Sequence, residues 1–465
     1  MTGAHTVADV RTAEEVLLAQ LPDGALMQRA AAGLAHVVAQ LLDSVYGARV
    51  GLLVGSGNNG GDGLFAGARL CRRGVRVEAV LIDPTRVHAD GLAAFRASGG
   101  RVVDRLGGCD LVLDAVLGIG GSAGLRDDAW RHVEDLSAPV VAVDVPSGID
   151  VDGGTLPAGG RHVRAAATVT FGTAKIGLLA GPAADCAGAV RIVDIGLGPH
   201  LPPPSVRAVG SHDARRLVRI PGPADHKYTR GVVGVAAGSP AYTGAGLLSV
   251  AGASCGLAGM VRYVGPEEVA GLVRAAHPEV VVGEGRVQAW VVGSGGGDGA
   301  ERALRRAYED GVAVVIDADA LQHVDGPPPV PALLTPHAGE LAAMLGAARS
   351  AVEADPLSHV RQAARTYGCT VLLKGARTLV CGPGGVVHVN TTGTDWLATA
   401  GAGDVLAGLC GALAANSGGD LAEVGAVATW LHGSAAVRAA GPLTAGAVAA
   451  ALPAVIATAL GLDHG

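Results

Sequence analysis

The amino-acid sequence predicts an α/β protein of two domains, the first built on a parallel sheet with helices on both faces. Three observations carry this. Short β-branched runs alternate with helix-patterned stretches along the chain, the pattern of strand–helix–strand units. The alternation is interrupted once, by a proline-dense segment. Polar, glycine-rich loops repeatedly follow the ends of the strand candidates, where open parallel sheets hold their ligands.

In chain order, residues 12–42 carry a helical pattern with a break near Asp23-Gly24. Strands are expected at 49–54, 75–82, 110–114, 139–144 and 166–171, with helices over 62–73 and 126–136. Residues 196–224 hold so many prolines and glycines that regular structure is excluded there. That places a boundary near residue 210 and divides the chain into domains 1–210 and 211–465. In the second, strands are expected at 232–236, 261–264, 289–292, 312–317, 370–373 and 378–381. Helices are expected over 243–258, 299–310, 339–345, 357–367, 404–415 and 421–438. Two stretches without charge, 231–261 and 439–462, are long enough to span a bilayer. Their glycines and Pro240, Pro442 and Pro453 favour buried elements of an α/β core, and no membrane association is expected.

Composition excludes several classes. The 73 glycines show no three-residue period, so the chain is not collagen-like, and 49% hydrophobic residues exclude a disordered chain. Net charge −7, with no basic run, leaves no footprint for nucleic acid. The 7 cysteines are scattered, none in a C-x-x-C pair, and no export signal is visible. Reduced thiols and a cytoplasmic location are expected. Basic residues are skewed to 32 arginines against three lysines, Lys175, Lys227 and Lys374.

In the first half, Val54-Gly55-Ser56-Gly57-Asn58-Asn59-Gly60-Gly61-Asp62-Gly63 follows a strand and opens a helix. Such a turn offers backbone N–H groups to an anion. The asparagines and aspartate add oxygen donors suited to a hard cation beside a phosphate-bearing ligand. Two more strands end in Asp114, before Gly118-Ile119-Gly120-Gly121-Ser122, and in Asp144, before Val145-Pro146-Ser147-Gly148. A single strand-end aspartate is more often a helix cap, but three such loops at the ends of parallel strands are expected to converge on one crevice. Together GSGNNGGDG, DAVLGIG and VDVPSGID resemble the epimerase domain of NAD(P)H-hydrate repair proteins, over about residues 10–198. The resemblance implies a Rossmann-like fold and a potassium ion held by Asn59, Asp114 and Ser147. It implies that Asn58, Asn59, Gly60, Gly61 and Asp62 cradle the hydrated cofactor with Gly118, Ile119, Gly120, Gly121, Ser122, Ala123 and Gly124. Asp144 would be the acid/base, and Lys175 would contact the ligand or a carboxylate.

In the second half, Gly401-Ala402-Gly403-Asp404 precedes a helix whose N-terminal N–H groups can hold a transferring phosphate. Asp404 can accept a hydroxyl proton or merely cap the helix. Lys374-Gly375-Ala376-Arg377-Thr378 follows an apolar strand and offers donors to a nucleotide. His337 stands in a Pro- and Gly-containing loop, and Ile316-Asp317-Ala318-Asp319 forms a further strand-end polar loop. With His226-Lys227-Tyr228, Tyr242-Thr243-Gly244-Ala245 and His277-Pro278-Glu279, this set resembles the ADP-dependent NAD(P)H-hydrate dehydratases of the ribokinase-like superfamily, over about 211–460. By that resemblance Lys374, Gly375, Ala376, Arg377, Thr378 and Gly403 bind the nucleotide, and Ala245, Gly295, His337 and Asp404 the hydrated cofactor. The chain departs from the usual family pattern at Gly293-Ser294-Gly295-Gly296-Gly297 (usually GPGLG), Thr392-Gly393-Thr394 (usually TGN) and GAGD (usually GSGD).

Both halves thus point to one metabolite, and the whole chain resembles a bifunctional repair enzyme. The implied function is epimerisation of R and S NADHX or NADPHX, then ADP-driven dehydration of the S form, giving AMP and phosphate. Magnesium is expected with ADP, and a homo-oligomer is expected. The alternative is a ribokinase-like kinase for a vitamin precursor or sugar, fused to a nucleotide-binding scaffold domain.

Overall fold

The computed structural model describes residues 3–462, which form two compact units, Gly3–Val206 and a second beginning at Arg207. In the first, seven parallel strands lie in the order Arg101–Val102, Arg76–Leu81, Arg49–Val54, Leu111–Ala115, Val140–Val143, Ala167–Phe171, Ala189–Val193. The chain winds outward one way from Arg49–Val54 and the other way from Leu111–Ala115. The order reverses between these two strands, and a crevice opens at such a switch point. Val50, Leu52 and Leu113 are wholly or almost wholly buried, as expected of a central parallel strand covered on both faces.

One face packs against Ala25–Leu41, Asn58–Cys71 and Ala89–Ala97 through a core that includes Leu34, Leu64 and Phe95. The other face is covered more thinly. The helix expected over 126–136 is α-helical only at Asp127–Trp130, and the chain then continues in tighter turns. His132 N donates to Ala129 O at 3.1 Å and Leu136 N to Val133 O at 3.1 Å, i→i+3 bonds of the 3₁₀ kind.

The sheet of the second unit includes, in order, Val281–Val282, Met260–Tyr263, Val232–Ala236, Ala289–Val292, Ala313–Ile316, Ala332–Leu334, Thr370–Leu373, Thr378–Cys381 and Val387–Asn390. Pairing is parallel as far as Thr370–Leu373 and antiparallel across the last two pairs. The helix Ala402–Ser417 is buried from Val405 to Asn416 against these strands and against Thr243–Ala253. Its small residues permit that approach, for a Cβ on Gly411 would stand 2.2 Å from Val291 Cγ2. The uncharged stretch 231–261 resolves into strand, helix and strand. The other contains Ala445–Leu460, a helix that runs through Pro453. Among the described residues no helix is long and apolar enough to cross a membrane.

The segment 196–224 departs from the structureless expectation. Its prolines cluster at 202–204 and 221–223, leaving room between them for the strand Val206–Ala208 and the helix Ser211–Leu217. All seven cysteines are free thiols.

Candidate active sites

The first site lies at the switch point. After Arg49–Val54 the chain passes through Gly55-Ser56-Gly57, and the helix begins at Asn58, four residues earlier than its apolar stripe predicts. Gly57 sits at φ +90, a conformation a side chain would strain, and turns the chain into the helix. The asparagine–glycine run is therefore the first turn of a helix, and its N-terminus opens on a cavity of about 720 Å³. Asn58, Asn59, Asp62, Gly118, Ile119, Gly120, Gly121 and Asp144 line that cavity. Gly60 and Gly61 do not line it; they serve close packing instead. A Cβ at Gly60 would meet Gly55 O at 2.3 Å, and one at Gly61 the His88 ring at 2.9 Å. Ser122, Ala123 and Gly124 also lie outside the lining, with Gly124 N donating to Gly148 O at 2.8 Å.

Asp144 directly follows the strand Val140–Val143 and is held at φ +69, a left-handed conformation unusual for a residue with a side chain. Its Oδ1 receives Lys175 Nζ at 2.6 Å and Thr170 Oγ1 at 3.1 Å, and its Oδ2 the Ile119 N–H at 3.3 Å. Lys175 is buried, with its side chain 1% exposed, and its ammonium also donates to Thr170 Oγ1 and Phe171 O. Such a pair holds the carboxylate in place, while removal of either partner leaves an uncompensated charge.

Asp114 and Ser147 form a second buried knot. Ser147 donates its N–H to Asp114 Oδ2 at 2.8 Å and its hydroxyl to Oδ1 at 2.6 Å. Burial nonetheless pushes the Asp114 carboxyl up to about 6, against the pull of these bonds. Ser147 Oγ also receives Leu117 N at 2.8 Å. Asn59 reaches the neighbouring residue when its amide nitrogen donates to Val143 O and its oxygen accepts from Gly118 N. The three residues thus meet around the loop at 117–118.

Two charged residues reach this cavity from an unexpected direction. Thr6 caps the helix Val7–Leu18 in a reciprocal box with Asp9, and this helix carries Arg11 and Glu14 to the cavity wall. The expected helix begins at residue 12 and leaves Arg11 out. The signal that could have found them is the i, i+3 spacing of two charges facing one way. Asp62 is carried by the helix Asn58–Cys71, and its buried Oδ1 has no hydrogen-bond partner among the described residues. Burial holds this carboxyl well above the usual range, and the charges of Asp144 and Glu14 push it further. Glu14 is raised as well, chiefly by burial.

The second site surrounds Asp317, which follows Ala313–Ile316 and is completely enclosed. Its Oδ1 receives Lys374 Nζ and Thr335 Oγ1, both at 2.8 Å, and its Oδ2 the Ser294 hydroxyl at 2.6 Å. Lys374 holds the Asp317 carboxyl below the usual range in spite of burial. Four strand ends are tied together in this way, and Ser294 in the departing GSGGG loop supplies one of the ties. Asp317 was noted in the sequence only as part of a polar loop; its central place needs the fold.

Asp404 stands in the first turn of Ala402–Ser417, whose N-cap is Gly401 at φ +87. It is therefore not the cap. Burial, and then the charge of Asp317, push its carboxyl up to about 7, with Lys374 and Ser294 pulling the other way. A Cβ at Gly403 would lie 3.4 Å from Lys374 Nζ, so the ammonium stands against the start of this helix. Gly295 and Ala245 are neighbours: a Cβ at Gly295 would meet that of Ala245 at 2.6 Å. His337 is exposed and caps Ala338–Leu345, its Nδ1 accepting from Glu340 N at 3.0 Å. The Lys374 N–H donates to Pro336 O at 2.8 Å, which brings the His337 and Lys374 loops side by side. Gly375 and Ala376 are exposed beyond Lys374, Arg377 follows, and Thr378 turns its hydroxyl to Gly375 O at 3.2 Å and begins a strand.

Comparison with known proteins matches both halves. A family described as YjeF-related protein N-terminus matches residues 23–177, and one described as NAD(P)H-hydrate dehydratase matches 233–457. The bifunctional NAD(P)H-hydrate repair enzyme Nnr of Mycobacterium tuberculosis (strain CDC 1551 / Oshkosh) is 45% identical over 432 residues, covering 89% of either chain. That of Mycobacterium leprae is 44% identical over 452 residues, covering 93% of either chain. The ADP/ATP-dependent NAD(P)H-hydrate dehydratase of Bacillus subtilis, co-crystallised with ATP and magnesium, superposes with a TM-score of 0.51 and 26% identity, covering 55% of this chain and 99% of its own. The first half is Rossmann-like in its winding and the second ribokinase-like. With both family matches in order along one chain, and a 45% identical relative spanning 89% of it, the chain belongs to the bifunctional NAD(P)H-hydrate repair enzymes.

Proposed function

We propose that the cavity around Asp144 epimerises hydrated NADH and NADPH, and that the site around Asp404 dehydrates the S epimer with ADP. The dihydronicotinamide ring has an enamine double bond beside its nitrogen. Water adds across that bond and leaves a hydroxyl on the carbon next to nitrogen, a new stereocentre. The C–O bond at that carbon breaks as water leaves and re-forms when water adds to the other face, and Asp144, held by Lys175, is an acid/base for the proton transfers this requires. Asn58, Asn59, Asp62 and the loop at 118–121 hold the rest of the cofactor.

At the second site Asp404 takes the hydroxyl proton, and the oxygen attacks the terminal phosphorus of ADP. AMP leaves. The C–O bond to the new phosphate then breaks as the ring nitrogen donates its lone pair. Loss of a proton from the neighbouring carbon restores the double bond. Phosphorylation replaces hydroxide, a poor leaving group, by phosphate. Lys374 and the N–H groups opening Ala402–Ser417 receive the transferring charge. Gly375, Ala376, Arg377, Thr378 and Gly403 border the nucleotide, and Ala245, Gly295 and His337 the hydrated ring.

The observation that carries this reading is Asp404. It is a half-buried carboxyl held up to about 7 at the mouth of a helix N-terminus, beside a lysine–aspartate pair. A group poised there suits proton transfer at neutral pH.

Asn59, Asp114 and Ser147 would hold potassium in the first unit. Their side chains offer oxygen donors, and among the described residues the buried Asp114 carboxyl has no cationic partner, which a monovalent ion would supply. Magnesium would enter on the ADP phosphates and neutralise their charge.

The test uses the purified full chain, mixed NADHX epimers, and ADP. Recovery of the reduced nicotinamide absorbance, with AMP formed only when NADHX is present, is expected. No recovery, or a stable phosphorylated product, overturns the reading. Replacing potassium by lithium is expected to slow epimerisation and leave dehydration of the S form unchanged.

A further inference from the structure

We propose that Asp62 is the second catalytic carboxyl of the epimerase cavity, giving a proton to the departing ring hydroxyl while Asp144 takes one from the incoming water. The proposal rests on the reading of this cavity as an epimerase. Inverting a carbon that bears a hydroxyl beside a ring nitrogen has an inexpensive route. The hydroxyl leaves with an added proton as water, and the C–O bond breaks. The nitrogen lone pair closes a C=N bond and leaves a cation. Water then adds to the opposite face, the C=N electrons return to nitrogen, and the incoming water gives up a proton. One proton has entered and one has left, so the ring is unchanged except in handedness. This route needs an acid and a base at one cavity.

The two requirements are met by different carboxyls. Asp144 has an ammonium partner at 2.6 Å and two further donors, which hold both of its oxygens in place as acceptors. Asp62 has no such partner. Its Oδ1 is buried and unpaired among the described residues, and Glu14 and Asp144 face it as further carboxyls. Lys175 acts on it in the other direction, and Lys175 is already bonded to Asp144. Burial, and then the charges of Asp144 and Glu14, hold the Asp62 carboxyl well above the usual carboxylate range, the direction a proton donor needs. After one turnover the proton sits on Asp144 and the charge on Asp62, the state that handles the opposite epimer. Both carboxyls line one cavity, and the charge left on Asp62 stabilises the cationic ring between the two steps.

The experiment uses the full chain and a single purified NADHX epimer without ADP, following the other epimer by chromatography in ¹⁸O-water. Wild type should incorporate one ¹⁸O per inversion. Asp62→Asn should lower kcat on the order of a hundredfold with KM nearly unchanged, the typical share of a general acid. The fall in wild-type rate as pH rises past the Asp62 pKa should vanish in that variant, and Asp62→Glu should restore part of the rate. ADP-driven dehydration of the S epimer by the same preparations reports that the protein is intact. The proposal is overturned if Asp62→Asn keeps kcat within about threefold of wild type. A defect confined to KM, or inversion without ¹⁸O uptake, overturns it equally. If wild type inverts neither epimer, the reading of the cavity itself fails; if wild type and Asp62→Asn both invert, only the role of Asp62 fails.

Discussion

If Asp404 is the base of the dehydratase, its ionised fraction must govern the rate. A carboxyl near its ordinary value would be fully ionised throughout the working range, and the rate would be flat. At about 7 the fraction ionised is about one half at pH 7 and about one tenth at pH 6. The value kcat/KM, which reports the free enzyme, should therefore fall about fivefold over that unit and about tenfold over the next. The sign of a perturbation follows from the causes. The negative charge of Asp317 pushes Asp404 up, so Asp317→Asn should lower the Asp404 pKa and move the acid limb to lower pH. Titration of the nucleotide is common to both proteins, so displacement between the two profiles belongs to the protein. The assay is the initial rate of absorbance recovery from S-NADHX with saturating ADP and magnesium, from pH 5 to 8.5. Asp404→Asn should lose roughly a hundredfold or more at every pH. A flat wild-type profile, or an Asp317→Asn limb moved to higher pH, would refute the reasoning.

Other outcomes follow from the same geometry. Lys175→Met strands the buried Asp144 charge and should destabilise the first unit by about 3–5 kcal/mol in chemical denaturation, part of which Asp144→Asn in the same chain should recover. Gly295→Ala adds a Cβ at φ +59, 2.6 Å from that of Ala245, and should cut dehydration sharply while epimerisation continues, as assays of the two half-reactions would read. Arg11→Ala should raise KM for epimerisation several-fold with a smaller effect on kcat, because its guanidinium stands beside the Gly120 loop on the cavity wall.

The framework of both units was legible because its strands are apolar runs closed by glycine and aspartate, a local signal. Asp144, Asp404 and the loops at 55–63 and 401–404 stood out for the same reason. Other parts depend on contacts between distant segments. Ala332–Leu334 is three residues long, too short for an alternation to register. The role of Asp317 emerges only when Ser294, Thr335 and Lys374 are brought around it, from loops 23, 18 and 57 residues away. Arg11 and Glu14 lie on the helix Val7–Leu18, distant in sequence from the loops they face, and the helical pattern expected from residue 12 leaves Arg11 out. The proline segment misled in the other direction, because proline governs only its own neighbourhood and 205–220 has none.

The scarcity of lysine has a practical consequence. Lys175 is sealed in its pair with Asp144, and Lys374 is bonded to Asp317 with 20% of its side chain exposed. Only Lys227 lies open to solvent, its ammonium 5.3 Å above the Tyr228 ring. A mild acylating reagent should thus find a single side-chain amine on the folded protein. Lys227 is a ready-made point for attaching one dye, and the appearance of label on Lys175 or Lys374 would report, unit by unit, the loss of the folded state.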